Sequence, residues 1–337
     1  MGENKNKIDF LGVGDIVVDE FIKLIDAHVH CKLDTDACEL CVRFGDKIPY
    51  ESAALVPAVG NSPNAAVSAA RLGLKTALVT NIGNDEYGEK CLDSLKNDRV
   101  LVDYVTTENN KNTNHHYVLW YDIDRTILIK HTEFTYKFPG IENVAWMYLS
   151  SLAEHSLPYH LEIENFLEKH KETKLAFQPG TFQIKFGAEK LKNIYARAEI
   201  FFSNVEEAET ILGKENFSEN KDVLTLVKGI RALGPKIVVI SDGPNGAYLY
   251  LNDELWHMPL YPDIAPPFER TGAGDAFSST FVAALALGKT PLEAFAWGPI
   301  NSMSVVQQIG AQKGLLSREK LEDYLSKAGA SYKAEKI

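Results

Sequence analysis

The sequence predicts an α/β protein: a three-layer αβα sandwich around a mostly parallel sheet, with a separate small β-rich domain. Two observations carry this prediction. From residue 144 onward, short apolar runs alternate with segments of helical period, which is the pattern of a parallel sheet covered on both faces. Residues 26–58 and 113–131 instead have mixed polarity and turn residues, which indicates a few short strands.

We therefore assign residues 1–25, 59–112 and 132–337 to a large α/β domain, and 26–58 with 113–131 to a discontinuous small β domain. Strands of the large domain are predicted at 8–13, 76–80, 144–149, 174–177, 200–203, 236–240 and 247–251. Helices are predicted at 61–72, through residue 95, at 158–170, 187–196, 206–212 and 222–233, and from 273, 291 and 317. The clearest hairpin joins 116–121 to 126–129, and its aromatic residues favour packing over stacking on a base.

Composition limits the class of protein. The 337 residues are 45% hydrophobic and 24% charged, which is typical of a soluble globular chain. A net charge of −11 makes a basic nucleic-acid surface a poor hypothesis. No apolar run has membrane-spanning length, and the first residues lack the hydrophobic core of a signal peptide, so we expect a cytoplasmic protein.

Three glycine-rich turns lie at strand ends or helix starts, at 60–64, 242–246 and 271–275. Ligands of an open parallel sheet bind beyond the carboxyl ends of its strands, so all three turns could face one crevice. The last turn, Thr271-Gly272-Ala273-Gly274-Asp275, opens a long apolar helix whose N-terminus favours an anion. On this stretch alone, Asp275 is either an ordinary helix cap or a catalytic base beside a bound phosphate.

Two nucleotide motifs are excluded. The segment 287–290, Leu-Gly-Lys-Thr, resembles the tail of a P-loop, but position 283 is alanine and a helix rather than a strand precedes it. No Gly-x-Gly-x-x-Gly follows the first strand, which argues against a dinucleotide-binding Rossmann domain.

The cysteines leave a further question open. Four cysteines in a chain of this size do not indicate a disulfide framework. Cys38 and Cys41 have the spacing of zinc ligands, with His28, His30 and Cys31 upstream as candidate partners. The alternative is unpaired cysteines and surface histidines in short strands.

Five motifs in order resemble the ribokinase-like (PfkB) family of ATP-dependent sugar and nucleoside kinases over nearly the whole chain. The most specific is 271–277, which is similar to the family's C-terminal signature. Residues 60–73 resemble the N-terminal signature. The weaker matches are Gly14 with Asp19, the Asn-x-x-Glu element at 204–207, and Ser241-Asp242-Gly243 with Gly246.

The resemblance implies a role for each matching residue. Asp275 would accept the proton of the substrate hydroxyl, and Gly272, Ala273 and Gly274 would donate N–H groups to the transferred phosphoryl. Asp19, Gly60 and Asn64 would hold sugar hydroxyls. Asn204 and Glu207 would act through Mg²⁺ and phosphate, Glu207 indirectly. Nucleotide contacts would come from Ser241, Gly243, Gly246 and, at an uncertain offset, Asn301. The two β-rich segments would form a lid over the sugar.

The expected activity is thus transfer of the γ-phosphoryl group of ATP, with Mg²⁺, to a hydroxyl of a sugar. A nucleoside acceptor is the alternative, and a sugar- or nucleotide-binding regulator without turnover is a third hypothesis. Exposed lid edges would also allow two copies to pair. Two departures matter: Val59 replaces a glycine of the N-terminal signature, and Glu269-Arg270 replaces Asp-Thr. The second leaves the dependence on a monovalent cation open.

Overall fold

The computed structural model describes residues 7–31, 38–122, 124–213, 222–268 and 270–337. Its strands are β1 Ile8–Val13, β2 Val17–Leu24, β3 His28–Cys31, β4 Cys38–Cys41, β5 Tyr50–Val59, β6 Thr76–Gly83, β7 Val105–Glu108, β8 Asn114–Tyr121, β9 Asp124–Leu128, β10 Val144–Leu149, β11 Lys174–Phe177, β12 Ala198–Asn204, β13 Ile237–Ser241, β14 Ala247–Leu251, β15 Glu254–Met258 and β16 Glu335–Lys336. Its helices are α1 Asn61–Arg71, α2 Glu86–Asn97, α3 Leu157–Lys169, α4 Thr181–Phe186, α5 Lys192–Arg197, α6 Val205–Ile211, α7 Val223–Ala232, α8 Ala273–Ala286, α9 Pro291–Val305 and α10 Arg318–Ser326.

The large sheet has the strand order β16-β15-β14-β13-β12-β11-β10-β1-β6-β7. Pairing is parallel from β7 to β13, and the last three strands add in antiparallel fashion. This confirms the predicted mostly parallel sheet.

Both faces of this sheet are covered, because its central strands are apolar on both sides. On β1, Leu11 packs into one core and Phe10 into the opposite one. The first core includes residues of α3, α5, α6 and α7, and the second includes residues of α1, α8, α9 and α10. The three-layer αβα prediction is therefore confirmed.

A second sheet of four strands has the order β5-β2-β8-β9. β2 pairs antiparallel with β5 and parallel with β8, and β8 forms the predicted hairpin with β9. The sequence analysis placed residues 1–25 in the large domain, whereas β2 belongs to the small sheet. The chain enters the small sheet by residue 17, because Val17 and Phe21 are buried on one side of a continuous strand.

Aromatic residues of the hairpin pack against protein. The Trp120 ring contacts Phe268 edge-on at 5.0 Å, and the Lys23 ammonium lies 5.1 Å from the Trp120 ring centre. These contacts agree with packing as the role of Trp120.

The cysteines differ from expectation. β3 and β4 form a separate two-stranded hairpin in which a disulfide joins Cys31 to Cys38. Cys41 and Cys91 are free thiols. Across the described ranges, no group of three or more His, Cys, Asp and Glu side chains is placed to hold a metal, so the zinc hypothesis gains no support.

Across the same ranges, no helix is long and apolar enough to cross a membrane.

Candidate active site

The start of α8 forms one wall of the site. Gly272 is the N-cap residue and adopts the left-handed conformation, with φ of 79°. A Cβ atom at this position would lie 2.3 Å from the Cβ of Ala311, so both the turn and its packing require glycine. The first N–H groups of a helix lack intrahelical partners, which suits an anion at this end of α8.

Asp275 lies in this first turn, and three side-chain amides donate to its carboxylate. Oδ1 accepts from Asn61 Nδ2 at 2.7 Å and from Gln178 Nε2 at 3.2 Å, and Oδ2 accepts from Asn64 Nδ2 at 2.9 Å. The side chain is 8% exposed. It does not accept a hydrogen bond as an N-cap, since Gly272 holds that position.

The orientations of two of these amides, Gln178 and Asn64, are fixed by further hydrogen bonds. Gln178 Oε1 accepts from the hydroxyls of Tyr148 and Ser278, which leaves its Nε2 facing Asp275. Asn64 Oδ1 accepts from Gln312 Nε2 at 3.0 Å, so the Asn64 amide nitrogen also faces Asp275. Asn64 thus lies at the site as predicted, but it contacts the acid instead of presenting both polar atoms to a sugar.

Gln178, Asn61 and Gln312 were missed by the sequence analysis. Gln178 directly follows β11, and a polar residue at the carboxyl end of a parallel strand is a usable signal for a site. Asn61 lies inside the turn 60–64 that was identified, but a role for it was not. Gln312 has no comparable signal in the sequence, because it lies in a loop far along the chain from the other site residues.

Burial raises the pKa of Asp275, and the three amide donors act against that rise because they favour the charged form. A carboxylate so surrounded keeps a lone pair available while its rotamer is fixed. That arrangement is suited to accepting a proton from a bound hydroxyl.

A second acid faces the same cavity. Glu207 Oε2 accepts from the Asn204 backbone N–H at 2.9 Å, and Asn204 Oδ1 accepts from the Glu207 N–H at 2.7 Å, so the pair caps α6. Burial is the largest cause that raises the pKa of Glu207, and the charge of Asp275 raises it further. Both acids line one cavity, and a Mg²⁺ ion bound together with phosphates usually takes only one or two protein carboxylates, so these residues are compatible with such an ion.

The cavity between these acids has a volume of about 240 Å³. It is lined by Asn61, Gln178, Phe202, Ser203, Asn204, Glu207, Val239, Ser241, Gly272, Gly274, Asp275, Phe277 and Ser278. The structure thus brings together Asp275, Gly272, Gly274, Asn204, Glu207 and Ser241 from distant parts of the chain. Ala273 adjoins them as the first residue of α8.

Three predicted nucleotide residues lie elsewhere. Gly243 and Gly246 belong to the turn after β13, which the lining of this cavity does not include among the described residues. Asn301 is fully buried on α9. It donates to Thr280 Oγ1 at 2.7 Å and accepts from the Leu316 N–H at 2.9 Å, so its amide serves the core.

The predicted acceptor residues lie beside the first strand. Gly60 is the N-cap of α1 with φ of 117°, and a Cβ there would lie 2.8 Å from the Asp15 carbonyl oxygen. Asp19, on β2, lies 3.4 Å from His116 Nδ1 on β8. Of the three residues that depart from the family signatures, Val59 is buried at the end of β5, Arg270 is exposed, and Glu269 lies outside the described residues.

Comparison with known proteins shows the family and the fold. The family model described as pfkB family carbohydrate kinase matches residues 31–318. The chain is 26% identical over 291 residues to a ribokinase of Bacillus subtilis, covering 84% of this chain and 92% of that protein. It is 30% identical over 243 residues to a cytidine kinase of Thermococcus kodakarensis, covering 69% and 82%.

Solved structures show the same fold. The ribokinase of Arabidopsis thaliana complexed with ribose and ATP superposes with a TM-score of 0.75 at 20% identity, over 95% of this chain and 99% of that one. The nucleoside kinase of Methanocaldococcus jannaschii gives 0.73 at 18% identity, over 96% and 99%. The family match over most of the chain shows that this protein belongs to the pfkB family of carbohydrate kinases.

Proposed function

We propose that this protein transfers the γ-phosphoryl group of ATP to a hydroxyl of a sugar, with Asp275 as the base. Members of this family are phosphotransferases that act on hydroxyl groups. The identity of the acceptor and the roles of individual residues are what we propose here. The observation that carries it is the buried Asp275 carboxylate, fixed by three amides at the helix N-terminus that also faces Glu207.

The proposed phosphoryl transfer makes little demand on the basicity of Asp275. Phosphoryl transfer depends mainly on positioning and on stabilising charge at the phosphoryl oxygens. Backbone N–H groups of Gly272, Ala273 and Gly274 would donate to those oxygens. Asp275 would accept the acceptor's proton late, as the hydroxyl oxygen bonds to phosphorus, so a strongly basic group is not required.

Glu207 is the residue that we propose to act on Mg²⁺, indirectly as the resemblance implies. Bound there, the ion would offset the negative charge of the phosphates. Asn204 and Ser241 line the cavity and would contact the nucleotide phosphates. Gly243 and Gly246 stay a prediction for the more distant part of the nucleotide, and we do not retain Asn301 because its amide is bonded within the core.

The acceptor would lie between Asp275 and the small sheet. Asp19 and Gly60 are proposed contacts for its hydroxyls. The small sheet is proposed as a lid, because phosphoryl transfer benefits from exclusion of water once both substrates are bound.

A nucleoside acceptor is the second candidate, and the relative that favours it is the cytidine kinase at 30% identity. A binding protein without turnover is the third hypothesis. The intact Asp275 and its anion-binding turn argue against it.

The experiment is a measurement of ADP release with ATP and Mg²⁺ over a panel of acceptors: D-ribose, D-fructose, D-fructose 6-phosphate, cytidine and adenosine. We expect acceptor-dependent ADP release with a sugar, well above the background with ATP alone. Turnover with a nucleoside alone would favour the second candidate. Acceptor binding without ADP release from any compound would favour the regulator.

We also propose that two copies pair through the lid. Large exposed hydrophobic side chains concentrate there: Ile25, Val29, Val42, Phe44, Tyr50, Leu55, Tyr117, Ile127, Leu128 and Ile129. Their concentration on the small sheet, the separate β3–β4 pair and the adjoining loops supports an apolar interface. A cytoplasmic location stays a prediction from the sequence.

A further inference from the structure

A row of acidic and imidazole side chains runs between β1 and the small sheet, outside the cavity that holds Asp275. Asp15 Oδ2 lies 4.0 Å from His131 Nδ1, and the His131 ring lies 5.2 Å from that of His116. His116 Nδ1 in turn lies 3.4 Å from Asp19 Oδ1. The Phe182 ring borders the row 6.2 Å from His131.

Each side chain in this row has a buried polar atom without a hydrogen-bond partner. These atoms are Asp15 Oδ2, Asp19 Oδ1, His116 Nε2 and His131 Nδ1. Asp15 is only 6% exposed. A buried polar atom left unpaired costs free energy, so four in one row point to a ligand that pairs with them.

Asp15 is held in place for such a contact. Tyr136 donates its hydroxyl to Asp15 Oδ1 at 2.7 Å, which fixes the rotamer and leaves Oδ2 facing His131. The Tyr136 ring stacks on His155 and Tyr159, at ring distances of 4.9 and 5.2 Å. The carboxylate is therefore rigid before any ligand arrives.

The row adjoins the proposed acceptor site. The Asp15 carbonyl touches the position of Gly60, and the next residue, Asn61, donates to Asp275. An acceptor with one hydroxyl at Asp275 would thus extend along α1's first residues toward Asp15.

We propose that Asp15, which no motif identified, is a specificity-determining residue of the acceptor site, and that this subsite takes a hydroxyl of an uncharged sugar or nucleoside. The inference rests on the proposed function. Asp15 and Asp19 together make the row negative, and burial and the neighbouring His116 and His155 lower the pKa of His131, which keeps that imidazole neutral. A phosphate at this subsite would meet two carboxylates, whereas a hydroxyl can donate to Asp15 Oδ2.

The titration of Asp15 provides a second readout. Burial raises the pKa of Asp15 to about 6, against the hydrogen bonds from Tyr136 and the Ala153 backbone and the charge of His155. The other titratable groups facing it are His131 and, more weakly, Tyr159. The ionised form is the better acceptor, so affinity for the sugar should fall as the pH drops through about 6.

The test is the Asp15→Asn variant, which keeps the side-chain shape and an oxygen for Tyr136. The acceptor is whichever of D-ribose, D-fructose and cytidine the wild type turns over most efficiently. We expect its KM to rise roughly 10- to 100-fold, the loss for a hydrogen bond to a charged group, with kcat within about twofold. The rise in wild-type KM below pH 6 should disappear in the variant.

The matched control is Asp9→Asn, which replaces a carboxylate on β1, the strand that precedes Asp15, where it accepts from the Lys75 N–H. Its kinetics should equal those of wild type. His131→Gln, at a partly exposed position, is the second variant should Asp15→Asn fail to fold, and its KM should also rise. Unchanged acceptor KM in both variants, or efficient turnover of D-fructose 6-phosphate in preference to the uncharged acceptors, would overturn the inference while leaving the proposed function intact. No ADP release with any acceptor would overturn both.

Discussion

At the scale of the residue, side-chain amides hold the Asp275 carboxylate, and further hydrogen bonds set the orientation of the Gln178 and Asn64 amides. Gln178 is the clearest case. Its oxygen accepts two hydroxyls, from Tyr148 and Ser278, so only its nitrogen can face the acid. A sequence pattern can identify Asp275 from its place after a small-residue turn. It cannot identify Gln178, because the hydroxyls that orient it come from β10 and from α8.

Replacing Gln178 by methionine should therefore act on catalysis. The variant removes one donor to Asp275, and we expect kcat to fall by roughly 10- to 100-fold with acceptor KM nearly unchanged. It also removes one acceptor from the hydroxyls of Tyr148 and Ser278, which keep each other and the Gly274 carbonyl as partners, so the free energy of unfolding should fall by about 0.5–1.5 kcal/mol. Steady-state kinetics and urea unfolding measure the two effects.

The matched control is Gln183→Met. Gln183 is a fully buried amide that bonds the Gly180 N–H and His160, away from the acid. It should lose stability without a comparable loss of kcat. Equal losses of kcat in the two variants would show that Gln178 acts only through stability.

At the scale of the element, the start of α8 is shaped by contact with the loop after α9. Gly272 fits against Ala311, and the same loop brings Gln312 to Asn64. The sequence predicted the helix and its anion-binding turn, since small residues before an apolar helical run are a local signal. The loop that closes on it is a long-range feature and was not predicted.

Comparing Gly272→Ala with Gly274→Ala separates the need for a left-handed backbone at residue 272 from the helix propensity of α8. A methyl group at Gly272 overlaps Ala311 and places alanine at φ of 79°, so we expect a loss of about 2–4 kcal/mol of unfolding free energy. A Cβ at Gly274 meets nothing within 4 Å, and alanine is a better helix former, so stability should rise by about 0.5–1 kcal/mol. Urea unfolding of both variants measures this, and equal stabilities would contradict the assigned role of Gly272.

The small sheet shows where strand prediction was incomplete. The hairpin β8–β9 was predicted because two β-rich runs flank a turn. No strand was predicted at Val17–Leu24, and these residues were assigned to the large domain with the rest of 1–25. Only its pairing with β5 and β8 reveals that the chain leaves the large sheet before Val17.

At the scale of the whole molecule, the two sheets have different proposed roles: the large sheet forms the cavity that holds Asp275, and the small sheet contributes to the acceptor side. The large sheet brings the ends of β11, β12 and β13 to one cavity, so Gln178, Asn204 and Ser241 meet the start of α8. The sequence analysis expected three glycine-rich turns to face one crevice: the turns 60–64 and 271–275 contribute to this cavity, whereas Gly243 and Gly246 do not line it and Gln178 was not predicted. The acceptor side was less predictable, because Asp15, His116 and His131 meet only through the small sheet.

Pairing of two copies through the lid has its own test. Leu128 is 52% exposed on β9, and its cross-strand neighbour Tyr117 is also exposed. We expect the wild type to sediment as a dimer and Leu128→Glu to shift it toward the monomer, because a charge would be buried at an apolar interface. Leu161→Glu, at an equally exposed leucine of α3 outside the lid, should change nothing. A monomeric wild type at micromolar concentration would refute pairing.

The central claim is that Asp275 is the base, and single-turnover transfer from ATP to the identified acceptor in Asp275→Asn tests it most directly. We predict a transfer rate lower than that of wild type by roughly 10²- to 10⁴-fold, with ATP affinity within a few-fold by calorimetry. A transfer rate within a few-fold of wild type in a folded variant would contradict the assignment.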